Sequence, residues 1–327
     1  MKIAFFDAKP FDKEFFDAAN KSFGFEIKYF DAHLTPDTCV LAQGYDVVCA
    51  FVNDKISAVV IGKLKAQGVG LIALRCAGYN NVDLKAAKNQ IKIVRVPSYS
   101  PYAVAEHALG MMLCLNRKLH RAYGRIRENN FSIVGLMGFD MHGKTAGVIG
   151  CGQIGSVMVG LLKGLGMKVL GYDIDKKLVQ KAGAEFSDLQ TLYKSCDIIT
   201  LHCPLTPDNV HMINRDAISR MKEGVMLINT GRGGLIDTSA LLEGLKSKKI
   251  GAAGLDVYEE ENQYFYEDFS ATFIPDDVLA RLQTFPNVLI TSHQAFFTRE
   301  AMHNIAHTTL VNIQAYKSGK LVNEVSS

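Results

Sequence analysis

The 327 residues are too many for one ordinary hydrophobic core, so the length alone predicts two domains. A hydrophobic content of 48% and a charged content of 21% are typical of a globular protein and exclude a disordered one. The net charge of +3, with no cluster of lysines and arginines, argues against nucleic acid or an anionic membrane as a partner.

Strand and helix patterns alternate from the N-terminus, which predicts a parallel α/β architecture. In the first hundred residues the predicted strands are residues 2–6, 25–30, 45–52, 70–74 and 91–96. The predicted helices between them are residues 12–23, 55–67 and 83–89. No glycine fingerprint follows the first strand, where the chain reads DAKPFD. We therefore expect a doubly wound, flavodoxin-like sheet without a nucleotide site.

A single long helix is predicted over residues 102–127, and the stretch TAGVIGCGQIGSVMVGLLKGLGMKVLGYD follows at residues 145–173. This stretch predicts a strand, a glycine turn, a helix and a second strand that ends on an acid. The three glycines of the turn, Gly150, Gly152 and Gly155, would permit the tight turn, let backbone N–H groups approach a pyrophosphate, and let the helix pack close to the strand. The terminal acid, Asp173, would accept hydrogen bonds from the ribose hydroxyls and repel a 2′-phosphate. NAD is therefore favoured over NADP, although two following lysines leave that exclusion incomplete.

The later strands of this unit are predicted at residues 198–202, 225–229, 251–256 and 288–291. The last helical pattern, residues 298–318, has no strand after it, so we expect it to pack back onto the first domain. The predicted domains are a discontinuous substrate (catalytic) domain, residues 1–100 and 299–327, and an NAD-binding Rossmann domain, residues 101–298. The substrate is expected in a cleft between these lobes, beside the carboxyl ends of the strands.

Cellular location is predicted from what the sequence lacks and from its cysteines. The chain enters its first strand without a signal-peptide pattern, and no apolar run has the length of a membrane span. Its seven cysteines are odd in number and contain no CxxC pair, and most lie inside apolar patterns. Reduced, buried thiols in a cytoplasmic protein, without a metal site, are the expectation.

Polar residues follow three predicted strands at the edge that carries the glycine turn. Arg232 lies on the turn TGRGGLID, Asp256 and Glu261 lie in DVYEEE, and His293 lies in SHQAF. A guanidinium can bind the carboxylate and carbonyl oxygen of a 2-keto acid, and an imidazole can exchange the hydroxyl proton. A carboxylate on the far ring nitrogen would fix the imidazole tautomer. Arginine, glutamate and histidine together form the set that hydride transfer to a 2-keto acid requires.

Over nearly its whole length the chain resembles the D-isomer-specific 2-hydroxyacid dehydrogenases. The resemblance rests on seven motifs in the family's order. They are RCAGYNNVDL (75–84), VPSYSPYAVAEHALG (96–110), GKTAGVIGCGQIG (143–155), LHCPLTPDN (201–209), MKEGVMLINTGRGGLID (221–237), GLDVYEEE (254–261) and HQAF (293–296). Within the family the chain is most similar to members that reduce pyruvate to D-lactate with NADH in fermentation.

The resemblance implies roles for individual residues. Arg232 would bind the substrate carboxylate and carbonyl, His293 would be the acid/base, and Glu261, not Glu259 or Glu260, would pair with it. The cofactor would contact Gly150, Gly152, Gln153, Ile154, Gly155, Asp173, Cys203, Pro204, Thr206, Thr230 and, on the nicotinamide side, Asp256. The substrate would contact the backbone of Cys76, Ala77, Gly78 and Tyr79, with Tyr99 nearby, and the rings of Phe51 and Phe296, which would keep the pocket small.

Two alternatives to pyruvate reduction stay open. One is a dehydrogenase of the same family that acts on a bulkier acid such as 2-ketoisocaproate or phenylpyruvate. The other is an NAD-sensing binding protein, because the family includes transcriptional corepressors with the same fold and triad. Family members associate through their nucleotide domains, so the resemblance also implies a homodimer or homotetramer.

Overall fold

The computed structural model describes residues 1–261 and 264–325. The chain forms two compact units, Met1–Ser100 with Phe297–Ser327, and Pro101–Phe296. Each unit contains one parallel sheet, so the predicted class of two doubly wound α/β lobes is confirmed. The boundaries predicted for the two functional domains remain a prediction.

The first unit contains a five-stranded parallel sheet in the order β2-β1-β3-β4-β5, which is the flavodoxin-like order. Its strands are β1 (Lys2–Phe5), β2 (Glu26–Tyr29), β3 (Val47–Ala50), β4 (Leu71–Leu74) and β5 (Lys92–Val94). Its first three helices are α1 (Pro10–Asn20), α2 (Ala58–Ala66) and α3 (Leu84–Ala87). Every residue of β3 and β4 is buried, as expected for central parallel strands with both faces covered.

The second unit contains a seven-stranded parallel sheet in the order β12-β11-β10-β9-β6-β7-β8. Its strands are β6 (Thr145–Ile149), β7 (Lys168–Tyr172), β8 (Glu185–Phe186), β9 (Ile198–Leu201), β10 (Val225–Asn229), β11 (Ile250–Leu255) and β12 (Val288–Ile290). The order reverses between β6 and β9, and ligands of open α/β sheets bind at such a point.

Within the described residues, the second unit contains eight α-helices. They are α4 (Pro101–Arg117), α5 (Leu119–Arg127), α6 (Gln153–Gly164), α7 (Lys176–Ala182), α8 (Leu189–Ser195), α9 (Arg215–Arg220), α10 (Thr238–Lys246) and α11 (Asp277–Gln283). The prediction of one continuous helix over residues 102–127 was wrong, because Lys118 adopts φ 52° and separates α4 from α5. Helix α4 buries one face in the unit, whereas α5 buries no residue.

The final helix, α12 (Arg299–Lys317), belongs to the first unit, as its pattern predicted. Its N-cap, Thr298, accepts a hydrogen bond from the N–H of Ala301 at 3.2 Å. The helix packs against α1 and β4, and its buried face includes Ile305, Leu310 and Ile313. Neither α12 nor any other helix in the described ranges combines the length and apolar composition needed to cross a bilayer.

Candidate active site

The glycine turn between β6 and α6 has the geometry of a dinucleotide-binding turn. Gly150 has φ +89°, and a Cβ at Gly155 would lie 1.9 Å from the carbonyl oxygen of Gly150, so both positions require glycine. Gly152 is the N-cap of α6, and a Cβ built there would meet open space. The helix therefore begins beside an open surface without a capping side chain, and the backbone of Gln153 and Ile154 starts its first turn. This arrangement fits the phosphates of NAD.

Asp173 follows β7 and lies next to the glycine turn. Its Oδ2 accepts from the N–H of Cys151 at 2.8 Å, and its Oδ1 accepts from the N–H of Asp175 at 3.0 Å. These bonds orient the half-buried carboxylate and leave it lone pairs for the hydroxyls of a ribose. Burial and the charge of Asp173 raise the pKa of the Cys151 thiol to about 12, so this cysteine stays protonated.

The carboxyl ends of β9 and β10 carry two buried polar atoms that have no hydrogen-bond partner among the described residues. They are Nδ1 of His202 and Oγ1 of Thr230. Such orphaned atoms beside a glycine turn are expected where a polar ligand binds. The nearby backbone of Cys203 packs on Gly150, where a Cβ would lie 2.4 Å from the nitrogen of Cys203.

Asn209 shapes the loop that follows Cys203. Its Nδ2 donates to the carbonyl oxygen of Pro204 at 2.8 Å, and its Oδ1 accepts from the N–H of Thr206 at 2.7 Å. The predicted cofactor residues of the second unit therefore all follow strands at one edge of the sheet, and the loops that contain them are internally bonded.

Glu261 and His293 form a hydrogen-bonded pair after β11 and β12. Nδ1 of His293 donates to Oε1 of Glu261 at 2.8 Å, and Oε2 of Glu261 accepts from the N–H of Tyr258 at 2.9 Å. The two side chains are only 15% and 11% exposed. With Nδ1 bound to the carboxylate, Nε2 is the nitrogen that can exchange a proton with a reactant. The predicted pairing with Glu261 rather than its two acidic neighbours is what the geometry shows.

The backbone around His293 is strained and strongly bonded. His293 has φ +51°, its N–H donates to the carbonyl oxygen of Asp256 at 2.7 Å, and its carbonyl oxygen accepts from the hydroxyl of Tyr266 at 2.8 Å. A histidine in the left-handed region is uncommon, and such strain concentrates at functional sites. Sequence reasoning missed Tyr266, which lies in an irregular segment without a periodic pattern.

Asp256 is fully buried and organises the turn that contains His293. Its Oδ1 accepts from the hydroxyl of Thr291 at 2.6 Å and from the N–H of Gln294 at 2.9 Å, and its Oδ2 accepts from the N–H of Ala295 at 2.9 Å. His107 of α4 bonds to Thr291 through Nε2 at 3.1 Å. These bonds give Asp256 a positioning role toward His293, and its predicted contact with the nicotinamide remains a prediction.

Arg232 lies on a tight turn after β10. Its Nη1 donates to the carbonyl oxygen of Gly231 at 2.7 Å, and its own carbonyl oxygen accepts from Nδ2 of the buried Asn229 at 2.9 Å. A Cβ at Gly233 would lie 2.2 Å from the backbone carbon of Tyr258. The turn therefore packs directly on the segment that leads to Glu261, which brings Arg232 and the Glu261–His293 pair to one region.

A second glutamate–histidine pair, unpredicted from the sequence, joins Glu259 to His211. Nε2 of His211 lies 2.5 Å from Oε1 of Glu259, and Oε2 of Glu259 accepts from the N–H of Thr238 at 3.0 Å. The N–H of His211 donates to the carbonyl oxygen of Gly234 at 2.8 Å. The spacing of these residues along the chain gives no signal of this pair, which depends on the long-range packing of three loops.

The predicted substrate residues of the first unit follow β3, β4 and β5 at the carboxyl edge of its sheet. The centre of the Phe51 ring lies 4.7 Å from the guanidinium carbon of Arg75. Cys76 is buried, and Tyr79 is 38% exposed. The carbonyl oxygen of Tyr99 accepts from the side-chain amide of Asn304 at 2.7 Å. Phe296, in the second unit, is buried.

Comparison with known proteins agrees with the fold and with the geometry of the second unit. Residues 109–295 match the model of the D-isomer specific 2-hydroxyacid dehydrogenase NAD-binding domain. D-lactate dehydrogenase of Escherichia coli is 52% identical over 98% of each chain, and a 2-hydroxyacid dehydrogenase homolog of Haemophilus influenzae is 51% identical over 99% of each chain. The apo structure of the Escherichia coli enzyme superposes with a TM-score of 0.91 at 51% identity, covering 99% of this chain and all of that one.

The chain therefore belongs to the D-isomer specific 2-hydroxyacid dehydrogenase family, and the resemblance seen in its motifs is confirmed. It is an NAD-dependent dehydrogenase, and the glycine turn lies in its NAD-binding domain.

Proposed function

We propose that this chain is a D-lactate dehydrogenase that reversibly reduces pyruvate to D-lactate. The observation that carries the proposal is the Glu261–His293 pair, nearly buried and placed beside the turn of Arg232 on the cofactor edge of the second sheet. The similarity to D-lactate dehydrogenase of Escherichia coli supports pyruvate as the substrate. The same family includes enzymes for other 2-keto acids, so substrate size is the point to test.

In the proposed reaction NAD, when bound, exchanges a hydride with the substrate carbon that carries the oxygen. His293 donates a proton from Nε2 to that oxygen in reduction and removes it in oxidation. Glu261 accepts from Nδ1, fixes the tautomer and stabilises the imidazolium. Arg232 binds the substrate carboxylate through a planar fork and stabilises negative charge on the carbonyl oxygen. Exclusion of water by the buried surroundings strengthens each of these interactions.

We further assign the substrate carboxylate to the backbone N–H groups of the segment Cys76–Tyr79, with Tyr99 nearby. Phe51 and Phe296 are assigned to the wall that limits the substrate side chain. Small aromatic-lined pockets discriminate against added methylene groups by only about 1–3 kcal/mol each, so a bulkier acid is the natural rival substrate.

The deciding experiment measures NADH oxidation by the purified protein with pyruvate, 2-ketobutyrate, 2-ketoisocaproate, phenylpyruvate and hydroxypyruvate. Pyruvate should lead by about tenfold or more in kcat/KM, and chiral chromatography should identify D-lactate as the product. A bulkier acid in first place would contradict the assigned pocket while retaining the catalytic residues. Bound NADH without turnover of any acid would contradict the catalytic proposal and favour a corepressor-like binding protein.

Arg232 has its own test. Arg232→Lys should lower kcat/KM by well over about tenfold, because an ammonium group cannot reproduce the two parallel hydrogen bonds of a guanidinium. Arg215→Lys, on the exposed surface of α9, is the matched control and should keep full activity. Near wild-type turnover of Arg232→Lys would show that Arg232 does not bind the carboxylate.

We also infer a homodimer or homotetramer in the cytoplasm. The segment between α5 and β6 exposes large apolar side chains: Phe131 (73%), Ile133 (82%), Val134 (78%) and Met137 (87%). An apolar patch of this kind usually marks a protein interface. All seven cysteines are free, which suits a reducing compartment. Sedimentation velocity tests the association, and a monomer at micromolar concentration would contradict it.

A further inference from the structure

Arg95, directly after β5, reaches the segment that follows β4. Its Nη1 donates to the carbonyl oxygen of Ala77 at 2.6 Å, and its guanidinium carbon lies 5.1 Å from the centre of the Tyr79 ring. The next residue, Val96, donates its N–H to the carbonyl oxygen of Cys76 at 3.2 Å. A charge-assisted bond combined with a stacked planar cation restrains a carbonyl group more firmly than a neutral bond does.

The backbone of Arg95 is itself bonded on both sides. Its N–H donates to the carbonyl oxygen of Asn323 at 3.1 Å, and its carbonyl oxygen accepts from Nδ2 of Asn312 at 2.8 Å. Asn312 is 1% exposed and accepts at Oδ1 from Nδ2 of Asn323 at 2.8 Å. Helix α12 and the residues after it therefore hold the backbone of Arg95 in place. The side chain extends to Ala77 from this fixed position.

The planar peptide between Ala77 and Gly78 transmits this restraint. Its bond is trans, so the N–H of Gly78 points opposite to the carbonyl oxygen of Ala77. Fixing that oxygen therefore fixes the direction of the N–H. A cation on the oxygen also polarises the peptide, which makes the N–H a stronger donor. Both effects favour a carboxylate bound to the N–H of Gly78.

We propose that Arg95 is a positioning residue that orients the Ala77–Gly78 peptide for the carboxylate of the substrate. The inference rests on the proposed function, in which the segment Cys76–Tyr79 binds that carboxylate. Arg95 acts through the peptide, so its loss weakens substrate binding while the acid/base pair Glu261–His293 stays intact.

The test compares Arg95→Met, which keeps the length of the side chain, with Arg95→Lys, which keeps its charge. The KM for pyruvate should rise about tenfold in Arg95→Met, equivalent to about 1.4 kcal/mol, and less in Arg95→Lys. The kcat should stay within roughly threefold of wild type, and NADH affinity should not change. Lys92→Met is the control, since Lys92 begins β5, the strand that precedes Arg95, and forms a surface ion pair with Glu324 at 3.0 Å.

A purely structural role would lower the unfolding temperature of Arg95→Met and leave its KM unchanged, which would overturn the inference. If Arg95→Met fails to fold, Arg95→Lys decides, because an unchanged KM in that variant also overturns it. If the wild type does not turn over pyruvate, the proposed function has failed instead. Calorimetric binding of oxamate to the NADH complex then compares wild type and variant, and equal affinity would refute the role of Arg95.

Discussion

Two glutamate–histidine pairs lie close together in the second unit, and they differ in which imidazole nitrogen meets the carboxylate. Glu261 accepts from Nδ1 of His293, whereas Glu259 pairs with Nε2 of His211. In the first pair, Nε2 makes no hydrogen bond within residues 1–261 and 264–325 and can face a reactant. In the second pair, Nε2 of His211 is hydrogen-bonded to the carboxylate of Glu259 and is not available to a reactant.

The two pairs also differ in solvent exposure, and the Glu261–His293 pair is the more buried of the two. The side chains of His293 and Glu261 are 15% and 11% exposed, whereas those of His211 and Glu259 are 44% and 25% exposed. A buried pair acts in a low dielectric, where its charges act strongly on a reactant, whereas an exposed pair is screened by water. Ring orientation and burial together therefore distinguish the proposed acid/base pair, Glu261–His293, from the Glu259–His211 pair.

The largest effect that separates the pairs is expected from His293→Asn. Loss of a general acid/base should lower kcat by a factor on the order of 10³, while NADH affinity measured by fluorescence stays unchanged. His211→Asn is the matched control and should retain most of the activity. Equal losses in both variants would remove the distinction between the pairs.

Replacing each of the three consecutive glutamates by glutamine gives the next largest contrast. Glu261→Gln removes the charge that stabilises the imidazolium, so kcat should fall on the order of 10²-fold. Glu259→Gln should act mainly on stability, and Glu260→Gln should be neutral. Steady-state kinetics and thermal unfolding of all three variants give the measurement, and a dominant kinetic effect of Glu259→Gln would reverse the assignment.

Gly233→Ala tests the contact between the Arg232 turn and the segment that contains both glutamates. The new Cβ would lie 2.2 Å from the backbone carbon of Tyr258, so the turn has to move. We expect a loss of about 1–3 kcal/mol in stability and a higher KM for the keto acid. Gly224→Ala is a poor control because Gly224 has φ +74°, whereas Gly160→Ala on α6 meets open space and should behave as wild type. Unchanged KM and unfolding temperature in Gly233→Ala would contradict the described packing.

The smallest expected effect concerns His202, an imidazole at the same edge whose Nε2 lies 2.9 Å from the hydroxyl oxygen of Thr200. Burial lowers its pKa to about 4, below the ordinary value of 6.5. Between these values the unfolded chain binds a proton that the folded chain does not, so this histidine reduces stability as pH falls. The unfolding temperature of His202→Gln should therefore fall less than that of wild type when the pH is lowered from about 7 to about 5. The control is His303→Gln, which replaces an exposed histidine. If unfolding temperature depends on pH equally in His202→Gln and wild type, the lowered pKa of His202 is contradicted.

The sequence predicted those parts of the site that depend on strand order. Parallel strands bring their carboxyl ends to one edge, so residues following β10, β11 and β12, Arg232, Glu261 and His293, could be grouped without coordinates. The break at Lys118 could not be predicted, because an unbroken apolar pattern says nothing of a single left-handed residue. The Glu259–His211 pair and the hydrogen bonds of Arg95 could not be predicted from the sequence either, since they depend on loops that pack across long sequence separations.

The return of α12 to the first unit has a consequence for synthesis. Residues 101–296 are contiguous in sequence, so the second unit is fully synthesised before α12 is made. The first unit is complete only after α12 has been synthesised and covers α1 and β4. At a translation rate of about 5–20 residues per second, the intervening two hundred or so residues take roughly 10–40 s. The unit that leaves the ribosome first is thus completed last, and the apolar surface that α12 covers stays exposed during that interval.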